Sequence, residues 1–133
     1  MEDVDRIFAL HVTSMLGETG DVLVNYGPHT SGTAMYRIKI TGKGGHGGQP
    51  HKANNPIQAA RELMNAISGI LPEYVDPAEM AVLTVSYVNA GMPNALNVIP
   101  AEAELGGNLR FYKLEIRDRI IEKLRAAAEG ICA

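Results

Sequence analysis

Apolar and polar residues alternate from Met35 to Thr41, with Tyr36, Ile38 and Ile40 set against Arg37, Lys39 and Thr41. A period of two predicts a strand with one face in a core and the other in water. Downstream the period changes. Ile57, Ala60, Met64, Ile67 and Leu71 fall on one side of a helix predicted over about Pro56–Leu71. Asn55 is its N-cap, Pro56 takes the first helical position, and Pro72 is expected to stop it. Met80 to Val88 is rich in Val, Leu, Thr and Tyr and apolar on both sides, which predicts a central strand. Ala101 to Arg110 is again extended, with Ala103, Leu105 and Leu109 on one face and Glu102, Glu104, Asn108 and Arg110 on the other. A second helix, about Leu114–Glu129, is expected to bury Ile116, Ile120, Ile121, Leu124 and Ala128 beneath a solvated charged side. Nearer the start, Asp5–Val12 and Asp21–Tyr26 read as short strands, the first carrying His11.

From Met35 onward the order is strand, helix, strand, strand, helix. That is an α+β arrangement: an antiparallel sheet with two helices packed on one face, a ferredoxin-like split β-α-β without its final strand. No internal repeat or low-complexity segment interrupts it.

Between the first strand and the first helix lies Gly42-Lys43-Gly44-Gly45-His46-Gly47-Gly48-Gln49-Pro50-His51, with five glycines and two histidines in ten residues. Glycine loses the most backbone entropy on folding, so this density implies positive φ or close backbone approach to something else, for which a ligand is the expectation. The picture is a rigid strand-and-helix frame with a mobile polar tip. Gly42-x-Gly44-x-x-Gly47 formally fits a dinucleotide fingerprint. The preceding strand is half-solvated rather than buried on both faces, however, and Pro50 and Pro56 hold the chain out of a helix well past Gly47. No Gly-Lys-Ser/Thr ends the run, which excludes a P-loop.

At 133 residues the chain is one domain's worth. A hydrophobic content of 46% against 20% charged residues gives an ordinary globular domain, and a net charge of -3 argues against nucleic acid as a partner. A single cysteine, Cys132, excludes an intrachain disulfide and a cysteine-rich zinc site. No apolar run is long enough for a bilayer and no signal peptide opens the chain, so no membrane partner and a cytoplasmic setting are expected.

The run Gly42–His51 with Asn55-Pro56-Ile57-Gln58-Ala59-Ala60, then Asn97-Val98-Ile99-Pro100-Ala101, then Leu105-Gly106-Gly107-Asn108-Leu109-Arg110, resembles the lid or dimerisation domain of M20-type metallopeptidases. The likeness is to the aminoacylase, hippurate hydrolase and auxin-conjugate amidohydrolase branch. There the glycine run is commonly Gly-Gly-His-Ala-Ala-x-Pro-His followed by Asp-Pro-Ile, so Gly47, Gly48 and Asn55 are departures that keep small size and capping ability. Ile7-Phe8-Ala9-Leu10-His11-Val12 is similar to the segment whose histidine ligates the branch's binuclear metal centre, with Ala9 where glycine is usual.

The resemblance implies a lid and dimerisation domain over 31–133, preceded by a residual catalytic-domain segment and linker over 1–30. The whole enzyme would cleave the amide bond of N-acyl amino acids or small peptides with a divalent metal of zinc, manganese or cobalt type, and would pair as a homodimer through the lid. His11 would be an orphan metal ligand, because the other family ligands have no match here, so the chain alone would be inactive and metal-free. His46 would reach across the dimer to the scissile carbonyl oxygen of the partner's substrate. Asn97 and Arg110 would contact the substrate's polar or carboxylate end, and His51 would support the loop or line the cleft. Plainer roles stand beside these: an unpartnered loop histidine for His46, a turn residue for Asn97, a surface ion pair for Arg110. The competing function is a free-standing βαβ-type module that binds a small ligand or dimerises without catalysis, which gives no reason for the glycine-histidine loop.

Overall fold

The computed structural model describes residues 3–133. Its framework is a three-stranded antiparallel sheet of β1 (Gly32–Thr41), β3 (Ala81–Ala90) and β5 (Glu102–Phe111), in the order β1-β5-β3. Two 19-residue helices, α1 (Pro56–Tyr74) and α2 (Leu114–Cys132), cover one face. A second ladder of two residue pairs joins β2 (Gly45–His46) to β4 (Val98–Ile99). This is the α+β split β-α-β architecture that the sequence pattern predicts.

The alternation in β1 sends Ala34, Tyr36, Ile38 and Ile40 toward the helices and Arg37 and Lys39 to the other side. β5 runs in register beside it, pairing Ile38 with Leu105 and Ile40 with Ala103, so the inward side chains of both strands share one layer. Leu63 of α1, Ile120 of α2, and Leu105 and Leu109 of β5 are wholly or almost wholly buried and form the centre of the core. Burying each of these side chains contributes roughly 1.5–3 kcal/mol.

β5, not β3, is the central strand. β3 pairs on one side only, with β5, and Val82, Tyr87 and Val88 stay partly open. Apolar residues on both faces of Met80–Val88 therefore mark an edge rather than a position between two neighbours. α1 also departs from expectation. It buries Ala60, Leu63, Ile67 and Ile70, while Ile57 is exposed and Met64 and Leu71 are peripheral. Nor does Pro72 end it. A proline in the last turn forfeits one i→i−4 bond, and the helix carries on to a Val75 N–H donating to the Leu71 carbonyl at 3.0 Å. Asn55 caps its start as predicted, its Oδ1 accepting from the Ile57 N–H at 3.0 Å. In α2, Ile121 lies outward and Ala128 at the core's margin.

No strand forms over Asp5–Val12 or Asp21–Tyr26; both segments are exposed throughout. Their apolar side chains fit a pleated surface, but a strand also needs a neighbour for its N–H and C=O groups, and none runs alongside.

One crossing inside the sheet depends on a single glycine. Tyr36 reaches from β1 over β5 and donates its hydroxyl to the Thr84 carbonyl of β3 at 2.8 Å. It passes above Gly107, where a Cβ would run into the Thr84 carbonyl and come within 2.7 Å of the Tyr36 hydroxyl. Next to this crossing β3 shifts register between Val85 and Tyr87, a bulge that carries Tyr87 onto the helix-free face opposite Gly106.

Candidate functional site

The Gly42–His51 loop is fastened to the Asn97–Ala101 segment. Gly45 and His46 pair with Ile99 and Val98. Gly42 N–H donates to the Ala101 carbonyl at 2.8 Å, and Gly47 N–H donates to the Asn97 carbonyl at 2.7 Å. On the other side Lys43 and Asn54 exchange backbone hydrogen bonds of 2.8 and 2.9 Å. The loop is thus a ladder, and the expected mobile tip is not what folds.

The glycines follow from this. None of the loop's five has positive φ. A Cβ on Gly44 would stand 2.9 Å from the Ile99 carbonyl oxygen, and one on Gly47 would stand 3.0 Å from that of Asn97. What approaches the loop so closely is this chain itself, the second motif at Gly44 and Gly47 and the Ala53–Pro56 segment at Gly42 and Gly45, rather than the ligand that glycine density suggests.

His46 comes out of this ladder with its ring exposed. Its carbonyl accepts from the Gln49 N–H at 2.8 Å, closing a turn, and its Nδ1 accepts from the Gly48 N–H at 3.0 Å. The ring borders a cleft of about 890 Å³ at the end of the main sheet, whose walls include Lys39, Asn89, Met92, Glu102 and Glu104. The acidic side chains there are paired: Lys39 Nζ with Glu102 at 2.8 Å, and Glu104 with Arg37 Nε and the Tyr87 hydroxyl, each at 3.2 Å. Sequence reasoning passed over this wall. The only available signal was the alternation of Glu102 and Glu104 opposite Lys39 and Arg37, which reads equally well as a solvated sheet face.

Asn97 lies beside His46 because the ladder brings the two motifs together. Its carbonyl holds Gly47, and its side chain is exposed with no hydrogen bond among the described residues. His51 sits in the short turn Pro50–Lys52, exposed, and is not a wall of the cleft. Arg110 is elsewhere. It is exposed near the other end of β5, paired with Thr33 and Val82, beside a smaller cleft of about 340 Å³ that includes Ser31, Glu79 and Tyr112. From Glu102 to Arg110 the strand covers roughly 26 Å at about 3.3 Å per residue. Arg110 makes no ion pair among the described residues.

His11 is exposed on the N-terminal segment. Among the described residues no three His, Cys, Asp or Glu side chains lie close enough to hold a metal ion, so these residues do not fit a metal centre of their own. No helix among them is long and apolar enough to cross a membrane.

The family model described as "Peptidase dimerisation domain" matches residues 29–133. The chain is 33% identical over its whole length to an N-acetylcysteine deacetylase from Bacillus subtilis, covering 34% of that protein. It is 34% identical, over 98% of its length, to an N-acyl-L-amino acid amidohydrolase from Geobacillus stearothermophilus, covering 35% of it. Among solved structures, a dinuclear metal binding peptidase of the M20 family from Bacillus subtilis superposes with a TM-score of 0.57 at 32% identity, over 82% of this chain and 24% of that one. An aminobenzoyl-glutamate utilization protein from Klebsiella pneumoniae, at 21% identity and a TM-score of 0.68 over 77% of this chain and 25% of its own, shares the fold. The chain spans about a third of the length of the curated relatives it matches. It belongs to the peptidase dimerisation domain family of M20 hydrolases.

Proposed function

We propose that this chain is the lid of a metal-dependent amidohydrolase that cleaves N-acyl amino acids or small peptides, and that His46 of one subunit serves the reaction centre of the other. The observation that carries this reading is an exposed imidazole, fastened by the β2–β4 ladder at the mouth of a cleft. Such a ring suits a centre supplied from elsewhere. A hydrogen-bond donor held ready for a carbonyl oxygen that gains negative charge stabilises the transition state more than the ground state. The divalent metal would be bound mainly by residues outside this set, to which His11 would add one ligand. A cytoplasmic setting suits the exposed, unpaired Cys132.

Pairing would use the edge of β3. The strand is apolar, one-sided and flanked by α1, and an uncovered edge of that kind recruits another strand. A twofold axis at that edge sets β3 antiparallel to its copy, so the Arg110 end of one sheet comes beside the His46 end of the other. The two strands β5 would then lie three spacings apart, roughly 14 Å. Arg110 of one subunit and His46 and Asn97 of its partner would flank one substrate, the guanidinium on the carboxylate and the imidazole on the amide. A pairing module without catalysis explains the apolar edge but leaves the mounted histidine without a purpose.

The test is His46→Ala in the full-length enzyme. We expect kcat to fall roughly a hundredfold or more with metal content unchanged, as for loss of an oxyanion donor. Loss of metal would make His46 a ligand, and an unchanged kcat would remove it from the reaction.

A further inference from the structure

We propose that the backbone N–H of Gly48 is a positioning group that fixes the tautomer of His46. A neutral imidazole carries its proton on one nitrogen, and the hydrogen bond made by the other nitrogen decides which. Here Nδ1 faces a donor, the Gly48 N–H at 3.0 Å, and must therefore present its lone pair. The proton lies on Nε2, which has no partner among the described residues and is exposed beside the cleft. His46 is the first residue of the turn closed by the Gln49 N–H, and its Nδ1 caps the N–H two residues on, as an Asn or Asp side chain does in an Asx turn. The ring is thereby both oriented and set as a donor before any substrate arrives.

Gly48 has the room this requires. A Cβ there would lie 3.1 Å from Nδ1 and 3.2 Å from Cε1 of the ring, so alanine is accommodated by a shift of a few tenths of an ångström while the N–H stays. Proline removes the N–H altogether. The flanking anchors, Gly47 N–H on Asn97 and the His46–Val98 pair, do not involve the Gly48 amide. The tautomer and the ladder can therefore be separated by experiment.

The inference deepens the reading of His46 as a donor and rests on it for its catalytic consequence, but the tautomer is measurable without catalysis. In the 133-residue chain labelled with 15N at histidine, long-range proton–nitrogen correlation should give His46 a pyridine-type Nδ1 and a protonated Nε2. A Nδ1-protonated ring, or an even mixture of tautomers, overturns the assignment. Gly48→Ala should keep the wild-type pattern. Gly48→Pro should lose the bias while the Gly47 amide stays protected, and an unchanged bias would overturn the role of the Gly48 N–H. In the full-length enzyme Gly48→Pro should lower kcat at least about tenfold with KM little changed, as when a group orienting a catalytic side chain is lost. An altered tautomer with unchanged kcat would overturn the catalytic role of His46 and leave the tautomer assignment standing.

Discussion

His46 and Val98 face each other directly across the β2–β4 ladder, and the next contact along is the 2.7 Å hydrogen bond from Gly47 N–H to the Asn97 carbonyl. Two motifs about fifty residues apart are thus one piece of structure. Gly44 allows this by letting the Ile99 carbonyl come close. Gly44→Val should force the ladder apart and destabilise the domain by about 1–3 kcal/mol, the usual range for overpacking. Hydrogen exchange at the Gly47 amide should accelerate more than exchange in the core of β5. Equal protection at Gly47 in variant and wild type would show that the ladder tolerates the bulk.

Burial pushes the Tyr36 phenol above its ordinary value of 10.0. The unfolded chain then releases this proton at a lower pH than the folded one. The group's contribution to stability is full below about pH 10 and is lost as pH rises through the folded value. Tyr36→Phe should cost about 1 kcal/mol at neutral pH, through loss of the hydrogen bond to Thr84, and should flatten the alkaline part of the stability curve. Urea denaturation of both proteins from pH 7 to 11 checks this, and parallel curves would contradict it.

Arg110→Ala in the full-length enzyme should raise KM for substrates with a free carboxylate roughly tenfold or more, with a smaller effect on kcat. Matched carboxylate and carboxamide substrates make the comparison. Equal losses on both would separate Arg110 from carboxylate recognition.

The 133-residue chain should be a dimer at micromolar concentration through β3 and α1. Val82→Lys, on the helix-free face of that strand, should weaken the dimer about tenfold by adding a charge to its apolar edge. Sedimentation velocity gives the answer, and a monomer of 14.3 kDa for the unmodified chain would overturn the interface.

Local patterns carried much of the fold. The alternation in β1 and the Asn55 cap with Pro56 act within a few residues and appear in the structure as read, and the apolar spacing in α2 does so at Ile116, Ile120 and Leu124. What escaped depends on neighbours distant in sequence. Asp5–Val12 has strand-forming residues but no strand to pair with, and β3 looks central by composition although only one side of it is occupied. Gly107 gives no local reason to be glycine; the reason is Tyr36 passing overhead from another strand. The separation of Arg110 from His46 follows from β5 running away from the loop. The extended pattern of Ala101–Arg110 held the hint, since a strand of that length carries Arg110 away from Asn97.

The ladder also constrains how this domain can move. A histidine on a free loop could swing in alone and leave the rest of the lid behind, but His46 is tied on one side to Asn97 and Val98 and on the other, through Lys43 and Asn54, to the start of α1. Imidazole, asparagine and sheet end behave as one lever arm. A rotation of the whole domain would therefore move its tip as a unit. Under the proposed function, an angle that brings His46 within hydrogen-bonding distance of its target would carry Asn97 with it, with no separate rearrangement of either.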